Sequence, residues 1–141
     1  MSLYLDASVV VPTLVQEDSS AAVLAFLAAA SEQLLVSEYA AAEVASAVSR
    51  LVRMRDLTLD EGRESLEQFD VWRAADTLPI ELENPDVVAA AALVRRFELK
   101  LRTPDALHLA VCVRAGARMV TLDFDLGEAA VAIGAELAAL V

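Results

Sequence analysis

Apolar positions along the chain change period as strand-like runs give way to helix-like stripes. Leu3-Tyr4-Leu5 is a short apolar run that stops at Asp6, the pattern of a buried parallel strand with an acid at its carboxyl end. Ser8 to Val15 predicts a short helix, with Pro12 tolerated only within about the first turn, and Gln16 to Ser19 breaks it. Asp18 and Ser19 offer an N-cap for a helix through Ala30, in which Val23, Leu24 and Leu27 fall at core-facing spacing. Leu34-Leu35-Val36 is a second strand. Ser37 then caps a long helix from Glu38 to about Arg55, where Val44, Val48, Leu51 and Val52 make an apolar stripe and Glu43 sits one turn inside.

Thr58 and Glu61 have the spacing of a capping box, opening a helix through about Ala75 with Leu66, Phe69 and Trp72 on its buried side. Leu78 to Leu82 reads as a strand, and Pro79 directs it to the edge of a sheet, where no ladder bond is lost. Asn84-Pro85 starts a helix through Leu99, and Thr103-Pro104 repeats the device for a helix through Ala115 that Gly116 ends. Met119 to Leu122 is a fourth strand, stopping at Asp123. Asp125 and Glu128 match a cap and an acid three residues on, predicting a short helix to Ile133 and, after Gly134, a last strand from Glu136 to Val141. Strands that alternate with helices imply an α/β protein with a mainly parallel sheet of about five strands, covered on both faces.

Composition narrows this picture. The 141 residues show no linker or composition break, so residues 1–141 are read as a single domain. The apolar fraction is 57%, but no run approaches the roughly 20 residues that span a bilayer, and Asp6 interrupts the place of a secretory core. No membrane association is expected. The one cysteine, Cys112, lies among Ala110, Val111 and Val113 as a packed thiol, and a cytoplasmic location follows. Charge cuts the other way for nucleic acid, because 11 basic residues against 22 acidic ones leave a net of -11. Any polyanion must be held locally, by Arg50, Arg53 and Arg55 or by Arg95, Arg96, Lys100 and Arg102, unless these clusters only complement helix ends.

Four acids stand at comparable places: Asp6, Glu43, Asp105 and Asp123. Singly, each has a structural explanation as a helix cap, a first-turn acid, a turn residue or a solvated face. Jointly, right-handed crossovers bring strand ends and helix starts to one edge of the sheet, so the four would line one cleft. Close carboxylates repel unless a cation is present, and oxygen-only ligation suits Mg²⁺ or Mn²⁺ rather than zinc. His108 follows Asp105 on the same helical face, but without a second histidine it is read as a packed or supporting residue. Such an ion is suited to hydrolysis of a phosphodiester backbone. The hydroxyls of Ser8, Thr103 and Thr121 each lie two residues from an acid, where they serve to orient carboxylates or water, or equally as caps and strand residues.

Leu5-Asp6-Ala7-Ser8, Glu43 within Ser37 to Arg50, Thr103-Pro104-Asp105-Ala106-Leu107-His108-Leu109-Ala110 and Thr121-Leu122-Asp123 resemble, in order and spacing, the PIN-domain family. The likeness is specifically to the VapC-type ribonuclease toxins of toxin-antitoxin pairs, and it covers essentially the whole chain. The resemblance implies a three-layer α/β/α sandwich and a Mg²⁺- or Mn²⁺-dependent endoribonuclease, usually a homodimer, held inactive by a cognate VapB-type antitoxin. It assigns Asp6, Glu43, Asp105 and Asp123 to the family's acidic positions, with Asp6, Asp105 and Asp123 as metal ligands and Thr121 as the nearby hydroxyl. Asp125 could ligate metal as well, but its capping spacing favours a structural role. Arg50, Arg53 and Arg102 would contact RNA phosphates, and a surface such as Ala89 to Ala92 could meet a partner.

Two other classes compete. A Mg²⁺-dependent phosphoryl-transfer domain wants an early acidic pair or Asp-x-Asp, whereas position 8 is Ser and the one lysine is Lys100. A non-catalytic PIN-like binding module is opposed only by the intact set of acids.

Overall fold

The strand that opens the chain, β1 (Leu3–Leu5), lies inside the sheet, not at its edge. The computed structural model, which describes residues 1–140, places it between β2 (Leu34–Ser37) and β4 (Arg118–Val120). The remaining strand, β3 (Thr77–Ile80), flanks β2 at the outside, and Pro79 sits on this edge as its missing N–H requires. Each pairing is parallel, with Leu3 opposite Leu34 and Arg118, and Leu34 opposite Thr77.

Parallel neighbours need crossover connections, and helices supply them. The first crossover is α1 (Ala7–Leu14) and α2 (Ser20–Ala29), and the second is α3 (Glu38–Arg53) and α4 (Leu59–Asp76). The third comprises α5 (Asn84–Val94), a 3-10 turn (Phe97–Leu99) and α6 (Thr103–Ala115), and α7 (Phe124–Ala132) follows β4. Successive strand residues point to opposite faces, so the sheet divides two cores. Leu3, Leu5 and Val36 pack with Val9, Val23, Val44 and Phe69 under α1 to α4. Tyr4, Leu35 and Met119 pack with Ala90, Leu109, Val111 and Leu126 under α5 to α7. The result is the expected three-layer α/β/α sandwich.

Local chemistry explains the helix ends. The Ser37 hydroxyl accepts the Ala40 N–H at 2.9 Å, Thr58 and Glu61 form a reciprocal capping box, and Gly116 ends α6 in the left-handed region at φ 64°. Other expectations shift. Among the described residues the sheet has four strands, because the alanine-rich run from Glu136 lacks strand-forming residues and makes there a single parallel bridge, Leu137 to Met119. Val141 falls outside the described residues. Pro12 stands inside α1, beyond its first turn, where it forgoes the N–H bond to the Ser8 carbonyl, and its own carbonyl accepts the Ser20 hydroxyl at 2.7 Å. Leu24 is exposed, since α2 is apolar almost all round and its sequence does not choose a face. Glu83, not Asn84, occupies the cap of α5, where the Asp86 carboxylate accepts the Glu83 N–H at 2.8 Å. That helix stops at Val94, and the 3-10 turn brings Leu99 into the core instead.

Candidate active site

Asp6 ends β1 and is 4% exposed. It stands at the cap position of α1, where its side chain makes no capping hydrogen bond. Its oxygens go elsewhere. Ser8 Oγ donates to Oδ1 at 2.6 Å and Thr121 Oγ1 donates to Oδ2 at 2.6 Å. These hydroxyls are themselves tied down, Ser8 accepting the Leu122 N–H at 2.9 Å and Thr121 the Asp123 N–H at 3.0 Å. The carboxylate is thereby stitched to the loop between β4 and α7. Burial pushes the Asp6 carboxyl above its ordinary range, and the two hydroxyls pull it back in part.

Asp123 closes that loop and caps α7, its Oδ1 accepting the Leu126 N–H at 3.0 Å. The expected cap at Asp125 is therefore corrected: α7 begins at Phe124 and Asp125 lies in its first turn. The pinned loop decides this, because it holds Asp123 in extended backbone directly before the first helical residue. Asp105 lies in the first turn of α6, half-buried. Burial raises its carboxyl, and the charge of Asp123 raises it further. Arg102 opposes the shift, with Nε 3.4 Å from Asp105 Oδ2.

Glu43 projects from α3 and meets His108 of α6, Glu43 Oε1 bonding His108 Nε2. The other ring nitrogen, Nδ1, is 2.8 Å from the Tyr4 hydroxyl. Tyr4 and Tyr39 enclose the imidazole edge-on, with centroids 5.8 and 5.1 Å away. Burial raises the Tyr39 phenol, and the charges of Glu43 and Asp105 raise it further. Asp6, Glu43, Asp105 and Asp123 thus follow strand ends or open helices on one side of the sheet, and Glu43 is the acid bonded to the histidine. Tyr4, Ser37 and Tyr39 do not stand out in the sequence as members of this cluster. The available signal is a tyrosine inside an otherwise aliphatic buried strand, since a buried phenol demands a partner.

The remaining expected residues lie at varying distance from the acids. Thr103 is exposed at the start of α6, and its hydroxyl makes no hydrogen bond among the described residues. Arg50 is seven residues beyond Glu43, hence on the same face of α3 and about 10 Å along it. Arg53 is turned off that face and donates to Ser49 Oγ. Arg102 is the basic residue that touches an acid of the cluster.

Among the described residues no three His, Cys, Asp or Glu side chains converge closely enough to chelate an ion as they stand. The donor chemistry is nevertheless specific. Cys112 is buried inside α6, where burial pushes its thiol up to about 12, and both nitrogens of His108 are engaged. Only carboxylate oxygens remain, a set that fits a hard cation retaining much of its water and does not fit zinc. No helix among the described residues is long and apolar enough to cross a membrane.

Solved structures of similar fold share little sequence. VapC20 of Mycobacterium tuberculosis, described as a sarcin-ricin loop cleaving toxin, is 15% identical with a TM-score of 0.72, over 94% of this chain and 95% of that one. FitAcB from Neisseria gonorrhoeae is 18% identical with a TM-score of 0.74, over 98% and 97%. VapBC-1 from nontypeable Haemophilus influenzae is 8% identical with a TM-score of 0.71, over 99% and 98%. No curated protein matches the sequence. The family model for the PIN domain matches residues 3–132, and the chain belongs to the PIN domain family.

Proposed function

We propose that this chain is a single-domain, Mg²⁺- or Mn²⁺-dependent endoribonuclease, the cytoplasmic toxin of a VapBC-type toxin-antitoxin pair. The observation that carries the reading is the placement of Asp6, Glu43, Asp105 and Asp123 after strand ends and in helix starts at the carboxyl edge of a parallel sheet, where α/β proteins bind ligands, with Glu43 held by His108. Asp6, Asp105 and Asp123 would hold the ion. When bound, it supplies activation of water and neutralisation of charge on the phosphodiester.

The chain's own groups do the rest. Ser8 and Thr121 fix the Asp6 carboxylate by one hydroxyl to each oxygen, so it need not reorganise on binding. Glu43, half-buried and anchored at one oxygen, accepts a proton from the attacking water. Arg102 beside Asp105, with Arg50 and Arg53 along α3, meets the RNA backbone locally against a net charge of -11. A solved structure of similar fold, the toxin-antitoxin complex from Klebsiella pneumoniae, supports a protein antitoxin as partner. An exposed apolar strip on α5, Val87, Val88, Ala91 and Ala92, supports a homodimer.

The test is cleavage of a total cellular RNA pool by purified, partner-free protein in Mg²⁺, in Mn²⁺ and in EDTA, beside Asp6→Asn. Metal-dependent cutting at discrete sites, lost in the variant, is expected. A folded wild type that cuts nothing would favour a non-catalytic binding module.

A further inference from the structure

Tyr4, Ser37, His108 and Glu43 form one continuous chain of hydrogen bonds. Ser37 Oγ is 2.9 Å from Tyr4 Oη, Tyr4 Oη is 2.8 Å from His108 Nδ1, and His108 Nε2 meets Glu43 Oε1. Tyr4, Ser37 and His108 are buried, so each proton in the chain must find an acceptor inside the protein. Tyr4 has one proton and two neighbours, which leaves two arrangements.

In the first, Ser37 donates to Tyr4, Tyr4 donates to Nδ1, and Nε2–H donates to Glu43. Ser37 Oγ still accepts the Ala40 N–H at 2.9 Å, and every donor is used. In the second, Nδ1–H donates to Tyr4 and Tyr4 donates to Ser37. The Ser37 proton then has no acceptor, in a side chain with no exposure, and Nε2 can meet Glu43 only if a further proton is added to one of them. The first arrangement leaves nothing buried unpaired.

Resting on the nuclease reading above, we propose that Tyr4 and His108 are positioning residues for Glu43. Tyr4 locks the imidazole as its Nε2–H tautomer, and that N–H holds Glu43 by Oε1. The carboxylate is then fixed as an acceptor, and Oε2, which takes no hydrogen bond among the described residues, is the oxygen left to receive a proton. The chain begins at the cap of α3 and ends on an acid of the same helix, so the cap and the acid are tied together through β1 and α6.

The protein has one histidine, so the ring signals of a ¹⁵N-labelled sample report His108 alone. The metal-free wild type is expected to show Nε2–H with a bare Nδ1, and Tyr4→Phe, which keeps the ring and its packing, to lose the single tautomer. On an oligonucleotide carrying a mapped cut site, Tyr4→Phe should lower kcat about 10- to 100-fold with KM unchanged. His108→Gln, which retains an N–H donor toward Glu43, should keep more activity than His108→Ala. An Nδ1–H tautomer in the wild type overturns the proposal, as does a folded Tyr4→Phe with undiminished kcat. A wild type that shows the Nε2–H tautomer but cleaves no RNA overturns the nuclease reading on which the proposal rests.

Discussion

Thr121 gives its hydroxyl proton to Oδ2 of Asp6 at 2.6 Å, across 115 positions of sequence, and receives the Asp123 N–H on the same oxygen. One side chain therefore sets the orientation of two acids. Thr121→Val keeps the shape and removes both bonds. Cleavage should fall about 10- to 100-fold with the fold retained, read as kcat beside far-ultraviolet circular dichroism. An unimpaired Thr121→Val would show that the hydroxyl is not needed to hold Asp6.

Asp6 is expected to weaken the metal-free protein. Its folded carboxyl is raised by burial, so between the ordinary carboxyl range and that raised value the native state binds its proton more readily than the unfolded chain. Stability then falls as pH rises through this window, and the loss persists at neutral pH. Asp6→Asn should have a higher Tm than wild type in EDTA, while Mg²⁺ should raise the Tm of wild type only. A lower Tm for the variant in EDTA would mean that the hydroxyl bonds outweigh desolvation.

Arg102 is largely exposed and bonds an acid of the cluster, so its charge is available to a phosphate. Arg102→Ala should weaken RNA binding and reduce the slope of log K against log salt by about 0.7, the amount for one contact to a single strand. Binding isotherms at several salt concentrations measure this. An unchanged slope would remove Arg102 from the interface.

Away from the cleft, Arg114 grips the 2%-exposed Asp86 with Nε to Oδ1 at 2.7 Å and Nη2 to Oδ2 at 2.9 Å. These bonds hold the Asp86 carboxyl below its ordinary range. Because the folded value is depressed, the stabilisation is present above the ordinary carboxyl range and is lost as pH falls through the folded value. Asp86→Ala should lose about 1–3 kcal/mol at pH 7, and the gap from wild type should close in acid. Urea melts across that range test it.

Features set within three or four residues were legible in the sequence. Ser37, the Thr58–Glu61 box and Gly116 each do locally what their chemistry requires, and Asp6 marks the end of its strand. Where two polar residues compete for one end, tertiary structure decides. Asp123 rather than Asp125 caps α7 because Ser8 and Thr121 pin the loop before it, and Ser8 comes from the far end of the chain. Leu24 was illegible for another reason, since a helix apolar all round does not say which side faces inward. Tyr4 announced a need for a partner but not which one, because His108 lies 104 positions away.

Asp123 holds two offices, an acid of the cleft and the cap of α7, and they make different demands on its atoms. The cap needs only an oxygen that accepts the Leu126 N–H, which an asparagine supplies equally well; the cleft needs the charge. On the proposed nuclease reading, Asp123→Asn is thus expected to be a disarmed form that keeps its helix, suited to capturing RNA uncut.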